Sequence, residues 1–259
     1  MKKRYGIMVC VFAVVLITAN VLMADSGNTA NDSFTAAKKM LEKDVYYDHR
    51  ITVYCGAEFS VQKRIKMPVG FQTDKYRSRA NRVEWEHIVP AENFGRTFTE
   101  WREGHPDCHE LNGQAFKGRK CADAVNREYR YMQADMYNLY PAIGAVNALR
   151  SNYNFTQFQE DTPSSFGSCP MKIQDRKAEP PPAVRGVIAR TYLYFEQAYH
   201  RFRMSDVNRK LMQVWDKQYP VDTWECVRAC RIEKLQKNKN NIVRDACHRA
   251  RLWPQGEAC

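Results

Sequence analysis

The apolar positions of this chain change period along its length. At 33–43 they recur at helical spacing, with Phe34, Ala37 and Leu41 on one face and Ser33 or Asp32 placed to cap the first turn. Residues 50–54, Arg-Ile-Thr-Val-Tyr, are rich in β-branched and aromatic side chains and stop at Cys55-Gly56, which predicts a strand. A second strand is predicted over 83–89, running into a loop at Pro90. From 94 to 123 no period is visible, and glycines, a proline and two cysteines point to a long irregular loop pinned by a disulfide. Helical spacing returns at 124–138 and 142–150, with Pro141 between the two. After Pro180-Pro181-Pro182, which suits a helix start, Ile188, Tyr192, Phe195, Tyr199 and Phe202 step by four and three along one face. Such an aromatic stripe is core far more often than a platform for stacking bases. Residues 211–217 and 227–236 complete a mainly helical second half, and the Asn/Lys-rich 237–241 reads as a loop.

The ends alter how the rest is read. Lys2, Lys3 and Arg4, an apolar run from Ile7 to Ile17 and then Leu22-Met23-Ala24 have the order of a secretory signal with its cleavage site. The run is shorter than the roughly 20 residues a spanning helix needs, and no later segment is long and apolar enough to cross a membrane. The expected mature domain is 25–259, without stable membrane association, periplasmic or secreted. Loss of 1–24 removes three basic residues and no acid, taking the net charge from +11 to +8. That balance favours polyanionic partners without naming a reaction. It also removes Cys10 and leaves eight cysteines in an oxidising compartment, which is read most economically as four disulfides. The one pairing legible at this stage is Cys108 with Cys121, across a short loop. A zinc site from His105, Cys108, His109 and Cys121 is the rival, with a spacing unlike common zinc patterns.

Two segments carry chemistry. Glu84-Trp85-Glu86-His87-Ile88-Val89-Pro90 sets acids beside a histidine at the end of a basic stretch, and Asn138, Asn147 and Asn152 lie in or just beyond a second, amide-rich segment. Phosphodiester hydrolysis needs a base for water, a cation for the charge of the transition state, and help for the departing oxygen. Histidine is the natural base near neutral pH. Mg²⁺ takes oxygen ligands and keeps several waters, so the carboxylate of Glu86 and the amide of Asn147 suffice for it. Neighbours on a strand point to opposite faces, so Glu86 and His87 share a site only near a strand end or bulge. The basic interval 63–82, with Lys63, Arg64, Lys66, Arg79 and Arg82, is read as a solvated face before it is read as a phosphate-facing one.

Longer words across the chain make the pattern specific. They are Tyr46-Tyr47-Asp48-His49-Arg50, Tyr54-Cys55-Gly56, Glu84 to Ala91, Gly118-Arg119-Lys120, Asn138-Leu139-x-Pro141-Ala142-Ile143-Gly144-x-Val146-Asn147, Arg150-Ser151-Asn152, Arg185-Gly186-x-Ile188-Ala189-Arg190-Thr191-Tyr192, and Trp215-Asp216-Lys217-x-Tyr219-Pro220-Val221. In this order they resemble the endonuclease I family of exported, sequence-non-specific bacterial nucleases of the ββα-metal, or His-Me finger, class. The resemblance implies an α+β single domain, mainly helical, with a small antiparallel sheet and a ββα-metal core. It implies His87 as general base, Glu86 and Asn147 as ligands of Mg²⁺, and Arg119 as the group that binds the cleaved phosphate. It further implies DNA, and often RNA, double- or single-stranded, held through phosphate contacts and cut to 5′-phosphates. A monomer is the default.

The chain departs from the pattern in places. Gln133 stands where the family's Met-Glu-Ala-Asp word has glutamate, which leaves a charge missing near the metal and predicts weaker metal binding. Cys121 follows Lys120 one residue early, and Cys230 with the tail at Cys259 is read as an added staple. Two other classes are weighed beside the nuclease. One is a secreted basic protein that coats DNA without cutting it, and the other is a glycosidase using Glu84 and Glu86.

Overall fold

The structure is a computed structural model that describes residues 27–256; the expected signal segment 1–24, Cys10 and Cys259 lie outside them. Ser33 caps Phe34–Met40 (α1) by accepting from the Ala36 amide, and the helix runs on into one π turn over Leu41–Val45. Val83–His87 (β1) follows, ending where Pro90 turns the chain into Ala91–Gly95 (α2) and Thr99–Arg102 (α3). Next come Arg119–Val125 (α4) and Arg127–Gln133 (α5), separated by Asn126, whose side chain caps α5 by accepting from the Tyr129 amide. Leu139–Ile143 (β2) leads directly into Gly144–Arg150 (α6). Asn154–Phe155 (β3), Lys172–Gln174 (β4) and Lys177–Glu179 (β5) form a separate small sheet. Four helices finish the chain: Arg185–Ala198 (α7), Asp206–Gln218 (α8), Thr223–Gln236 (α9) and Asn241–Arg249 (α10). The fold is α+β, and no described helix is long and apolar enough to cross a membrane.

β1 and β2 pair antiparallel, from Val83 opposite Ile143 to His87 opposite Leu139. The helix expected over 142–150 therefore starts later, and Pro141 lies inside a strand instead of between two helices. A two-stranded sheet tolerates this, because the side of Pro141 that lacks an N–H faces away from β1. On that outer side the Pro141 carbonyl accepts from the Val53 amide at 2.8 Å. The strand expected at 50–54 is not formed. Thr52 folds the segment into a turn, its carbonyl accepting from Gly56 N and its Oγ1 from Ala57 N, and only Ile51 makes a single bridge, to Glu58. The second sheet, in which β5 pairs parallel with β3 and antiparallel with β4, was not foreseen, since strands of two and three residues leave no alternation to read. The helix expected over 124–138 breaks after Gln133, where Asp135 caps a short 3₁₀ turn by accepting from Tyr137 N.

The aromatic stripe is core, with Ile188, Tyr192 and Phe195 on α7 and Tyr199 and Phe202 just past its end all buried, and α7 packs along α8. Disulfides join Cys55 to Cys169, Cys108 to Cys121 and Cys226 to Cys247. The second of these pins a loop as expected, but the loop is shorter than the 94–123 read from the sequence, because α3 and the start of α4 lie within that span and leave 103–118 irregular. The same disulfide removes both thiols from the rival zinc site. Cys230 is also disulfide-bonded, and its expected pairing with Cys259 lies outside the described residues.

Candidate active site

His87 is the last residue of β1, which meets the geometric demand made by the Glu86-His87 pair: the strand ends there, and the two neighbouring side chains line one cavity. That cavity, about 260 Å³, is also lined by Arg119, Asn147 and Asn152. Two segments roughly 60 residues apart in sequence meet because β2 pairs with β1 and hands the chain to α6 beside it. Gly144 at the head of α6 makes the approach possible. A Cβ there would stand 2.5 Å from the Arg79 carbonyl oxygen and 2.9 Å from Glu84 Oε1. Gly144→Ala is therefore expected to push α6 off β1, lowering the melting temperature and cleavage together; a variant with unaltered melting and rate would show that α6 is not seated by this contact.

His87 is 7% exposed, and its ring sits 5.1 Å from that of Phe34. Its Nε2 lies 2.9 Å from the carbonyl oxygen of Gln133. A carbonyl only accepts, so the ring proton is on Nε2 and the lone pair is left on Nδ1. Burial, with the Arg119 guanidinium adding to it, lowers the His87 pKa to about 3. The imidazole is thus held neutral at physiological pH.

Glu86 is 2% exposed, and burial pushes its carboxyl above the ordinary range while Arg150 and Tyr54 oppose the shift. Its Oε1 accepts from the Tyr54 hydroxyl and from Arg150 Nη1, each at 2.7 Å. Arg150, fully buried, also donates to the carbonyls of His87 and Ile88 at 2.7 and 2.6 Å, so it fixes both the carboxylate and the end of β1. No described protein group hydrogen-bonds Glu86 Oε2. Asn147 donates its Nδ2 to Glu84 Oε2 at 2.9 Å, and Glu84 is itself paired with Arg79 and Arg82. A carboxylate cannot donate, so this contact fixes the amide and frees Asn147 Oδ1. Two unengaged hard oxygens on one cavity fit a small divalent cation that keeps most of its waters. Among the described residues no three His, Cys, Asp or Glu side chains converge on one point.

Arg119 opens α4 and is exposed, lining this cavity and two neighbours of about 470 and 700 Å³. Its Nε donates to Gln133 Oε1 at 2.7 Å. On one side the larger groove adds Lys120 and Arg130, and on the other stand Lys38, Lys39 and Lys63. The sequence did not single out Lys38 or Lys39, because on a short amphipathic helix they look like an ordinary flank, and it read Phe34 only as part of that helix's apolar face. Most of the basic 63–82 interval is the solvated face it was read as, with Lys66 paired to Glu58, Arg77 to Asp74, and Arg79 and Arg82 to Glu84. Of the other amides, Asn138 is buried and clamps the Val89 backbone through both N–H and C=O, so it is not a ligand. Asn152 lines the cavity with its Nδ2 on Glu92. Glu84 and Glu86 are each bound to arginine, which leaves neither placed as a sugar-cleaving acid.

Comparison with known proteins bears on the family of the chain. A match to the endonuclease I family spans residues 29–247. An extracellular deoxyribonuclease of Aeromonas hydrophila is 40% identical over 222 residues, 83% of this chain and 90% of the relative. A periplasmic deoxyribonuclease of the same organism is 37% identical over 254 residues, 95% and 98% of the two chains. Endonuclease-1 of Buchnera aphidicola subsp. Baizongia pistaciae is 34% identical over 248 residues, 92% and 94% of the two chains.

Proposed function

This chain belongs to the endonuclease I family and is a phosphodiester-cleaving nuclease; on that premise we propose that it is an exported, Mg²⁺-dependent endonuclease without base preference, cutting DNA and RNA to 5′-phosphate ends. One observation carries the catalytic reading: His87 is held through Nε2 with Nδ1 free, on a cavity that also presents the open oxygens of Glu86 and Asn147 and the Arg119 guanidinium. β1, β2 and α6 supply the strand pair and helix of a ββα-metal core, which supports assignment to that class.

In this mechanism His87 Nδ1 takes a proton from the attacking water. Arg119 holds a non-bridging phosphate oxygen through the N–H groups not used by Gln133. Glu86 Oε2 and Asn147 Oδ1 are the groups that would hold Mg²⁺, which when bound supplies positive charge for the departing 3′-oxygen. Lys38 and Lys39 on one flank and Lys120 and Arg130 on the other lie where successive phosphates of a strand would pass. Contacts of this kind carry no sequence information. The relatives' names, extracellular and periplasmic, and three disulfides among the described residues support export.

The test is cleavage of supercoiled plasmid by oxidised protein in Mg²⁺, with an EDTA arm and a single-stranded RNA arm. Nicked and linear products that vanish in EDTA and carry 5′-phosphates are expected. Plasmid left intact by folded, DNA-binding protein would overturn the reading in favour of a coating protein, which the deoxyribonuclease names of the relatives do not favour.

A further inference from the structure

Arg119 and Asp123 lie four residues apart on α4, the spacing at which opposite charges pair across a helix turn, yet no ion pair joins them among the described residues. The Gln133 amide stands between. Its Oε1 accepts from Arg119 Nε at 2.7 Å and from the Tyr129 hydroxyl at 3.0 Å, and its Nε2 donates to Asp123 Oδ1 at 2.6 Å. Gln133 is 3% exposed, so the amide is locked by its partners and not by solvent. Reversing it would set NH₂ against two donors and a carbonyl against a carboxylate. Its backbone carbonyl also holds His87 Nε2. One residue therefore touches both the candidate base and the candidate phosphate-binding arginine, and Asp123 fixes its side chain from outside.

We propose that Asp123 is a positioning residue of this nuclease: acting through the Gln133 amide, it orients Arg119 toward the phosphate while leaving the guanidinium charge unneutralised. This rests on the reading of Arg119 as the phosphate-binding group. The physical gain is in the placement of charge. A carboxylate directly on Arg119 Nε would hold the side chain equally well but would offset the positive charge it presents to the substrate. A neutral amide holds it by a hydrogen bond, and the negative charge stays one residue farther away. The carboxylate that seemed lost with Gln133 is present at Asp123, on the far side of the amide. It follows that Gln133→Glu alone does not restore a missing function. It sets two carboxylates in contact, which cannot both ionise at that distance.

The experiment compares Asp123→Ala, Gln133→Glu and the exchanged pair Asp123→Asn/Gln133→Glu with the wild type by steady-state cleavage in Mg²⁺, beside thermal melts. In the exchanged pair the amide introduced at position 123 can turn its NH₂ toward the carboxylate introduced at position 133, so the exchange rebuilds every hydrogen bond with the charge moved inward. Asp123→Ala is expected to lower kcat about fivefold and Gln133→Glu about tenfold, with KM changed little, each on the scale of one hydrogen bond. The pair is expected to recover part of the loss of Gln133→Glu, because its hydrogen bonds return, but to stay about threefold below the wild type, because a carboxylate now sits on Arg119; independent structural damage would produce no rescue. Asp123 is exposed, so Asp123→Ala should melt near the wild type and remain informative if Gln133→Glu does not fold. Asp123→Ala with wild-type kcat, or an exchanged pair no faster than Gln133→Glu alone, overturns the proposal. Arg119→Ala run in parallel separates the two levels: wild-type cleavage by that variant refutes the phosphate-binding role itself.

Discussion

His87→Ala is expected to cut turnover by about 10²–10⁴-fold, the usual worth of a positioned general base, while DNA affinity stays near that of the wild type. The other candidate groups lining the cavity are engaged or unsuited: Glu86 is bound by Tyr54 and Arg150, Glu92 by Arg96 and Asn152, and Arg119 has no lone pair to offer. Folding should suffer moderately, because the Gln133 carbonyl loses its partner, at a cost of about 1–3 kcal/mol. The variant also has a signature in acid. The native pKa of His87 is about 3, against about 6.5 in the unfolded chain. Below 6.5 the unfolded state takes up a proton that the native state refuses, so the stability His87 confers near neutrality is lost as the pH falls from 6.5 toward 3. Melting temperatures of the wild type should decline over that window by more than those of His87→Ala. A variant that still turns over plasmid at the wild-type rate would remove His87 from the mechanism, and parallel melting curves would remove its burial from the acid response.

Arg150→Ala should bring the largest loss of stability of any change near the site. The guanidinium is fully buried and serves Glu86 and the carbonyls of His87 and Ile88, with its plane 4.5 Å from the Phe155 ring. Truncation leaves a buried carboxylate and two carbonyls without their donor. Breaking a buried pair from one side costs about 3–5 kcal/mol, and at roughly 2–4 °C per kcal/mol for a chain of this size the melting temperature should fall by roughly 6–20 °C. Adding Glu86→Gln to Arg150→Ala should recover part of the loss, since the stranded charge is then gone. Metal affinity should fall as well, because Arg150 holds Oε1 and so aims Oε2. Calorimetry of the single and double variants, with Mg²⁺ titrated into each, tests both points. A shift below about 2 °C for Arg150→Ala would mean that the site is seated by other contacts.

What could be read in advance divides along physical lines. Sequence by itself determined the class of the fold, the core face of α7, the presence of β1, the Cys108–Cys121 staple and the residues on which the chemistry is proposed to rest, but not that β1, read over 83–89, stops at His87. Each of the features it determined is local or is carried by residue type. A period of 3.6 marks a buried helix face whatever packs on it, β-branched and aromatic residues favour a strand, and only certain side chains accept protons or hold hard cations. Tertiary structure alone decided whatever depends on pairing between distant segments. The helix read over 142–150 lost its first two residues to β2 because β1 offered a partner. Residues 50–54 had strand residues but folded into a turn, because Thr52 took the Gly56 and Ala57 amides through its carbonyl and Oγ1. The direction of each functional atom was decided in the same way. Nδ1 of His87 is free because a carbonyl 46 residues away takes Nε2, Oδ1 of Asn147 because Glu84 takes Nδ2, and Arg119 Nε is bound to an amide that stands between it and Asp123. A sequence names donors and acceptors, but which of them are already engaged is settled only when the chain has closed around them.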